Sequence, residues 1–151
     1  MRKRTLAREH SLKLLYQINL GKLEEMDAVL SIYWESLPAP AESEIVEFAE
    51  RIVHGTIEQI SFIDGIISKY AENWNLGRMA VIDRNVLRAA TYELLFMSEE
   101  IPPKVVINES VNLAKKYSTE ESGRFVNGVL DKINHSESRI TPPSPPKQQA
   151  D

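Results

Sequence analysis

At 151 residues, 42% hydrophobic and 26% charged, the chain is long enough for one domain with a real core. It has no cysteine, which excludes a disulfide framework or a thiolate metal site and suits a reducing, cytoplasmic compartment. No apolar run approaches the roughly 18 residues of a membrane helix, and the basic start leads into Glu9, His10 and Lys13 rather than a signal core.

The formal net charge of −4 hides an uneven spread. Residues 1–22 hold six Lys/Arg against Glu9 alone, residues 23–83 hold three against twelve acids, and the remainder is balanced at nine each. A basic end on an acidic body suggests a polyanion-binding end on a chain that otherwise avoids nonspecific nucleic-acid contact.

Apolar residues recur at helical spacing almost throughout and strict alternation is absent, so the expected fold is all-α with about seven helices. The first is expected over about 5–20, with Leu12, Leu15, Tyr16 and Ile18 toward the core and Gly21 closing it. The second, about 26–37, carries Met26, Val29, Leu30, Tyr33 and Trp34 before the helix-incompatible "PAPAES". The third opens near Ser43 with Ile45, Phe48, Ala49, Ile52, Val53 and Ile57 as its stripe.

"SFID" at 61–64 reads as an N-cap opening a fourth helix through Ile66, Ile67, Tyr70 and Trp74. After "NLG" the fifth, about 78–97, repeats Ile82, Val86, Ala90, Leu94 and Met97. "EEIPP" forces a turn before a sixth helix with Val105, Val106, Val111 and Ala114 inward. The seventh begins at Ser118 with Glu121 as a capping box and buries Phe125, Val126, Val129, Leu130 and Ile133, its periodicity overruling the turn signal of Asn127-Gly128. Gly123 and Gly128, each unfavourable in a helix by about 1 kcal/mol, suggest close approach by another backbone. The helical domain is expected over 1–135, and 136–151 as a disordered or polyproline-like, solubilising tail.

No catalytic constellation assembles. His10, His54 and His135 make no metal-ligand spacing, and no phosphate-cradling loop or nucleophile elbow is present, so neither metal, cofactor nor catalytic residue is expected. Nucleic-acid binding has positive signals. Arg4 and Arg8 share a face at the end of the first helix where cations oppose the macrodipole, at about 0.3–1 kcal/mol each. Local helix physics does not account for them, and a partner would.

Tyr16 sits at the border of that face, so phosphate-binding cations stand beside a stacking aromatic, as single-stranded nucleic acid requires. The competing reading is a solubilising charge run. Arg84, Arg88 and Tyr92 form a second basic and aromatic stripe, unless the arginines pair with acids of neighbouring helices. Lys115 and Lys116 precede a helix N-terminus able to receive a phosphate, unless its own capping residues satisfy the donors.

Three stretches taken together, "RKRTLAREHSLKLLYQ", "IDGIISKYAENWNLGRMAVIDRNVLRAATYELLF" and "IPPKVVINESVNLAKKYSTEESGRFVNGVLDKI", resemble the NusB family of bacterial transcription antitermination factors over residues 2–134. The resemblance implies two three-helix bundles with the N-terminal helix along the join. It implies a noncatalytic RNA-binding factor that takes the single-stranded boxA element of nascent ribosomal RNA together with NusE, a small-subunit ribosomal protein. That complex joins RNA polymerase and other Nus factors to reduce premature termination.

Carried over by position, RNA contacts fall on Arg2, Lys3, Arg4, Arg8, Tyr16, Arg84, Ser122 and Arg124, and NusE or RNA contacts on Asp83, Arg88, Glu121 and Phe125. Leu6 and His10 stand where small residues are common in the family. The resemblance leaves monomer and homodimer open, a dimer being able to hide the basic surface. The alternatives are a pure protein-interaction module and an accessory domain like those fused to ribosomal RNA methyltransferases, although no cofactor-binding domain follows here.

Overall fold

A computed structural model describes residues 2–18, 20–71 and 76–140. Trp74 and the proline-rich stretch from Thr141 lie outside them. The described residues form seven α-helices and no strand: α1 (Arg2–Gln17), α2 (Met26–Glu35), α3 (Ser43–Glu58), α4 (Ile60–Tyr70), α5 (Val81–Phe96), α6 (Pro103–Tyr117) and α7 (Glu120–Ser136), with 3-10 turns at Leu23–Glu25 and Leu76–Arg78.

The helices form close to where their apolar periods predict, but Tyr16, expected toward the core with Leu12, Leu15 and Ile18, is 69% exposed. All six apolar positions expected for α3 are buried, as are Val86, Ala90, Leu94 and Met97 at the fours and threes of the α5 region. Burying such a side chain contributes about 1.5–3 kcal/mol, so these stripes decide which way each helix faces. In α6 only Val106 and Ala114 of the four expected positions are fully buried, and Val105 and Val111 flank them half-buried.

Helix α1 spans Arg2–Gln17 rather than about 5–20 and α5 starts at Val81 rather than about 78, and two expected caps are displaced. The α3–α4 junction falls on Gln59, whose N–H caps Gly55 C=O (3.1 Å) and whose own carbonyl accepts Ile63 N–H (2.9 Å). Ser61 therefore lies inside α4 and caps nothing, because burial of Ile63, Ile66 and Ile67 starts the helix two residues earlier. At α7 the N-cap is Thr119 rather than Ser118: its extended backbone lets Oγ1 accept the Ser122 N–H at 2.9 Å.

Two apolar clusters share α1. Ala7 and Leu12 enter the larger one, built with α3–α7, while Leu14, Leu15 and Ile18 join Leu30, Tyr33, Val53 and Ile57 of α2 and α3. Alternate flanks of one helix thus enter both cores, which places α1 along their join.

His10 fills a niche on the smaller side: Nδ1 lies 2.6 Å from Tyr33 Oη, and the ring packs against Tyr33 and Trp34 with centroids 5.7 and 5.0 Å away. Burial pushes the Tyr33 hydroxyl up to about 12, so it keeps its proton and can donate to a neutral imidazole. Burial, then Lys13, depresses His10.

Glycine usage splits. A Cβ on Gly123 would meet Lys115 Cγ at 2.7 Å, so this glycine lets the lysine stem of α6 lie across α7. Gly128 has open space around it, and no packing contact explains it.

At the C-terminal end α7 continues to Ser136, Glu137 accepts from Lys69 and Tyr70, and Ile140 N–H donates to Leu95 C=O at 2.7 Å.

A base whose folded value is depressed contributes stability above its unfolded value and loses it as pH falls. Urea unfolding across pH 7.5 to 5.5 is therefore expected to show stability declining as pH drops through the ordinary histidine value of 6.5. His10→Gln, which keeps a hydrogen-bonding side chain but does not titrate, is expected to flatten that decline.

Candidate nucleic-acid interface

The cations at the start of α1 fold onto acids of the same chain. Lys3 Nζ lies 3.1 Å from Glu44 and 3.5 Å from Glu42. Arg4 Nη2 reaches Glu100 at 2.7 Å and its guanidinium lies 4.6 Å above the Phe48 ring. Arg51 holds the other oxygen of Glu100 at 2.7 Å, and its hydrogen bond is the largest influence holding that carboxyl below the usual range. These side chains remain near half-exposed, where such pairs contribute about 0–1 kcal/mol and can exchange for phosphate.

Arg8 differs in kind. It is 2% exposed, donates from Nε to both oxygens of Glu93 (3.1 and 3.0 Å) and from Nη2 to Oε1 at 2.8 Å, and approaches Glu109 at 3.5 Å through Nη1. Thr5 Oγ1 donates to the same Glu109 oxygen at 2.7 Å. Glu93 is also 2% exposed; burial pushes its carboxyl up, and the Arg8 hydrogen bonds oppose that. The expectation that Arg8 contacts RNA is therefore corrected: its guanidinium is spent inside, bolting α1 to α5 and α6. The partner that the dipole argument called for is, for this residue, the protein's own carboxylate.

The other half of α1 is open. Tyr16 is 69% exposed, and with Lys13, Gln17, Ile82, Asn85 and Tyr117 it lines a groove of about 380 Å³ between α1, α5 and α6. Lys13 Nζ stands 5.9 Å from the Tyr117 ring. Tyr117 Oη donates to Glu9 at 3.1 Å and Lys116 Nζ lies 2.7 Å from the same carboxylate, an exposed ion pair of the same kind as those of Lys3 and Arg4. Lys115 also approaches Glu120 at 3.7 Å. Around Tyr16, Leu20 and Val81 are 39% and 40% exposed, and Arg84 lines the smaller pocket they share.

Arg88 is corrected too. It makes a two-pronged bond to Asp64, Nε and Nη2 each donating at 2.8 Å, which ties α5 to α4. Tyr92 stacks on Phe96 with 5.1 Å between centroids, so the expected α5 stripe divides: Arg84 and the Asp64-bound Arg88 line the Tyr16 pocket, and Tyr92 serves packing.

The remaining candidates do meet. Asp83 in the first turn of α5 and Glu121, Ser122, Arg124 and Phe125 in the first turns of α7 line one cleft of about 620 Å³ with Arg78. Ser122 is buried, and its Oγ donates to Asp83 Oδ2 at 3.2 Å. It positions the carboxylate rather than facing a ligand. Asp83 Oδ1 is buried without a hydrogen-bond partner, an acceptor whose desolvation a ligand donor would relieve. Thr119 satisfies the α7 N-terminus and Glu120 and Glu121 surround it, so that terminus does not suit a phosphate.

Lys13, Gln17, Asn85 and Tyr117 were missed. Their signal was spacing: Lys13 and Gln17 flank Tyr16 on the helix surface, and Asn85 lies two residues past Asp83 in sequence.

Among the described residues no group of His, Asp or Glu could hold a metal ion, and no helix is long and apolar enough to cross a membrane. The NusB family model matches residues 5–135. The chain belongs to the NusB family. The transcription antitermination protein NusB of Elusimicrobium minutum is 46% identical over 133 residues, covering 88% of this chain and 94% of that one. Its counterpart in Anaeromyxobacter sp. strain Fw109-5 is 50% identical over 131 residues, 87% and 89% of the two chains.

Among solved structures, T. maritima NusB superposes with a TM-score of 0.73 at 40% identity, covering 89% of this chain and 92% of that one. A structure of the antitermination factors NusB and NusE in complex with dsRNA superposes with a TM-score of 0.72 at 30% identity, covering 91% and 99%. The all-α architecture read from periodicity is thus the architecture of the family.

Removing one member of a buried ion pair costs about 3–5 kcal/mol, because the other charge is left uncompensated. Arg8→Ala and Glu93→Ala should each lose that much in urea unfolding. The double variant Arg8→Met/Glu93→Leu should lose far less than the sum of the single variants.

Proposed function

We propose that this protein is a noncatalytic transcription antitermination factor that binds the single-stranded boxA element of nascent ribosomal RNA together with NusE, within the RNA polymerase antitermination complex. The observation that carries the reading is the exposed Tyr16 on a groove edged by Lys13, in a family one of whose members has been solved with NusE and RNA. RNA phosphates would run along Arg2, Lys3 and Arg4, exchanging with Glu42, Glu44 and Glu100. Arg8 holds α1 in place for that contact without making it.

The apolar surroundings of Tyr16 favour a protein partner at that position. Leu20 and Val81 extend its exposed surface, and an apolar patch with an aromatic at its centre is the usual mark of a protein-binding site. Tyr16, Arg84 and that patch accordingly fall to NusE. RNA takes the N-terminal cations and the cleft of Asp83, Glu121, Arg124 and Phe125. Two ligands on adjoining parts of one surface would each strengthen the other.

Fluorescence anisotropy with boxA RNA and a scrambled control, with and without NusE, tests this. Three phosphate contacts predict a log-log salt slope of about −2 at about 0.7 per contact. Lys3→Ala/Arg4→Ala should weaken RNA binding in both conditions, whereas Tyr16→Ala should weaken it only when NusE is present. Equal affinity for the two RNAs would contradict the reading, and a loss on Tyr16→Ala without NusE would return that residue to base stacking.

A further inference from the structure

Beside the first turn of α1, two arginines from different helices converge on one carboxylate. Glu100 Oε2 accepts from Arg4 Nη2 of α1 at 2.7 Å and from Arg51 Nη1 of α3 at 3.2 Å, and its Oε1 accepts from Arg51 Nη2 at 2.7 Å. Both guanidinium groups lie against the Phe48 ring, 4.6 and 5.9 Å from its centroid. Phe48 is part of the larger core and buried, so one fixed ring supports both exposed forks.

Two oxygens of one anion held by planar forks is also how arginines take the non-bridging oxygens of a phosphodiester. The side chains of Arg4, Arg51 and Glu100 are 45%, 44% and 36% exposed, so water reaches the bridge and the pairing adds little to the fold. The backbone under Glu100 is fixed: Glu100 N–H and Ile101 N–H both donate to Met97 C=O, at 3.1 and 2.9 Å, and Met97 and Ile101 are buried. The Glu100 side chain can therefore rotate off the arginines without moving the turn between α5 and α6. We propose that Arg4 and Arg51 form one phosphate site for single-stranded RNA, and that Glu100 is its built-in competitor, a carboxylate that fills the site until a backbone phosphate displaces it.

Arg51 thereby joins the track of Arg2, Lys3 and Arg4 and turns it from α1 onto α3. It shares the phosphate of Arg4, so the number of phosphates neutralised stays at three. A phosphate contact carries no base information, so the competition lowers the affinity for every RNA alike and leaves discrimination to the cleft of Asp83 and Arg124. The inference rests on the reading of α1 as an RNA-binding helix, and adds to it a residue of α3 and an acid that opposes binding.

Anisotropy titrations of boxA RNA and its scrambled control with the full 151-residue chain, without NusE, test the site. Glu100→Gln should tighten binding of both RNAs several-fold, while Glu99→Gln, which removes the same charge from the adjacent exposed position, should change it far less. Arg51→Ala should weaken both several-fold, and Lys22→Ala, an equal charge removed just beyond the other end of α1, should not. In the Arg4→Ala/Arg51→Ala background the gain from Glu100→Gln should fall to that of Glu99→Gln. Equal effects of the two glutamine variants, a full gain without the two arginines, or wild-type affinity in Arg51→Ala would each overturn the site. The antitermination reading fails separately, on a wild type that does not prefer boxA to the scrambled RNA, and binding of neither RNA by wild type and Glu100→Gln would overturn both.

Discussion

The ion pair between Arg8 and Glu93 is the constraint on which the arrangement turns. Both groups are 2% exposed, so neither can be left without the other, and satisfying both fixes the rotation and height of α1 against α5. Once α1 is set, one flank delivers Ala7 and Leu12 to the larger core and the other delivers Leu14, Leu15 and Ile18 to the smaller. The same rotation turns Tyr16 outward. A buried ion pair adds little net stability over an apolar substitute. Its effect here is on register.

This changes the meaning of the basic N-terminus. The cations sit at the unfavourable end of the α1 dipole, and the acids of the middle third, together with Glu93, Glu100 and Glu109 further on, answer them one by one. The charge asymmetry along the chain is partly an internal complementarity that docks one terminal helix onto the body. What remains for a polyanion is graded by exposure. Arg2 is exposed, Lys3 and Arg4 are held in weak surface pairs, and Arg8 is out of reach.

Helix number, order and most inward faces were legible because the 3.6-residue period persists and tertiary packing largely obeys it, as the complete burial of the α3 stripe shows, with Tyr16 turned outward as the exception. Local capping signals were weaker guides. Ser61 and Ser118 each have the right chemistry for a cap, but the buried isoleucines of α4 and the neighbouring Thr119 displaced them. Pairing across the fold was illegible. Nothing in "RKRTLARE" distinguishes Arg4 from Arg8, which share a helix face, because the difference arises from Glu93, 85 residues away in sequence. Asp83, Glu121, Ser122, Arg124 and Phe125, named by position in the sequence, line one cleft, while the pairing of each arginine depended on acids that one-dimensional spacing cannot place.

The division of labour within α1 is the central claim, and the arginine side-chain Nε–H signals in NMR report on it directly. On titration with boxA RNA, the Arg4 signal should shift as it exchanges Glu100 for phosphate, while the Arg8 signal stays in place and remains protected from solvent exchange. An Arg8 signal that moves with RNA, or that exchanges as fast as Arg4 in the free protein, would contradict the account.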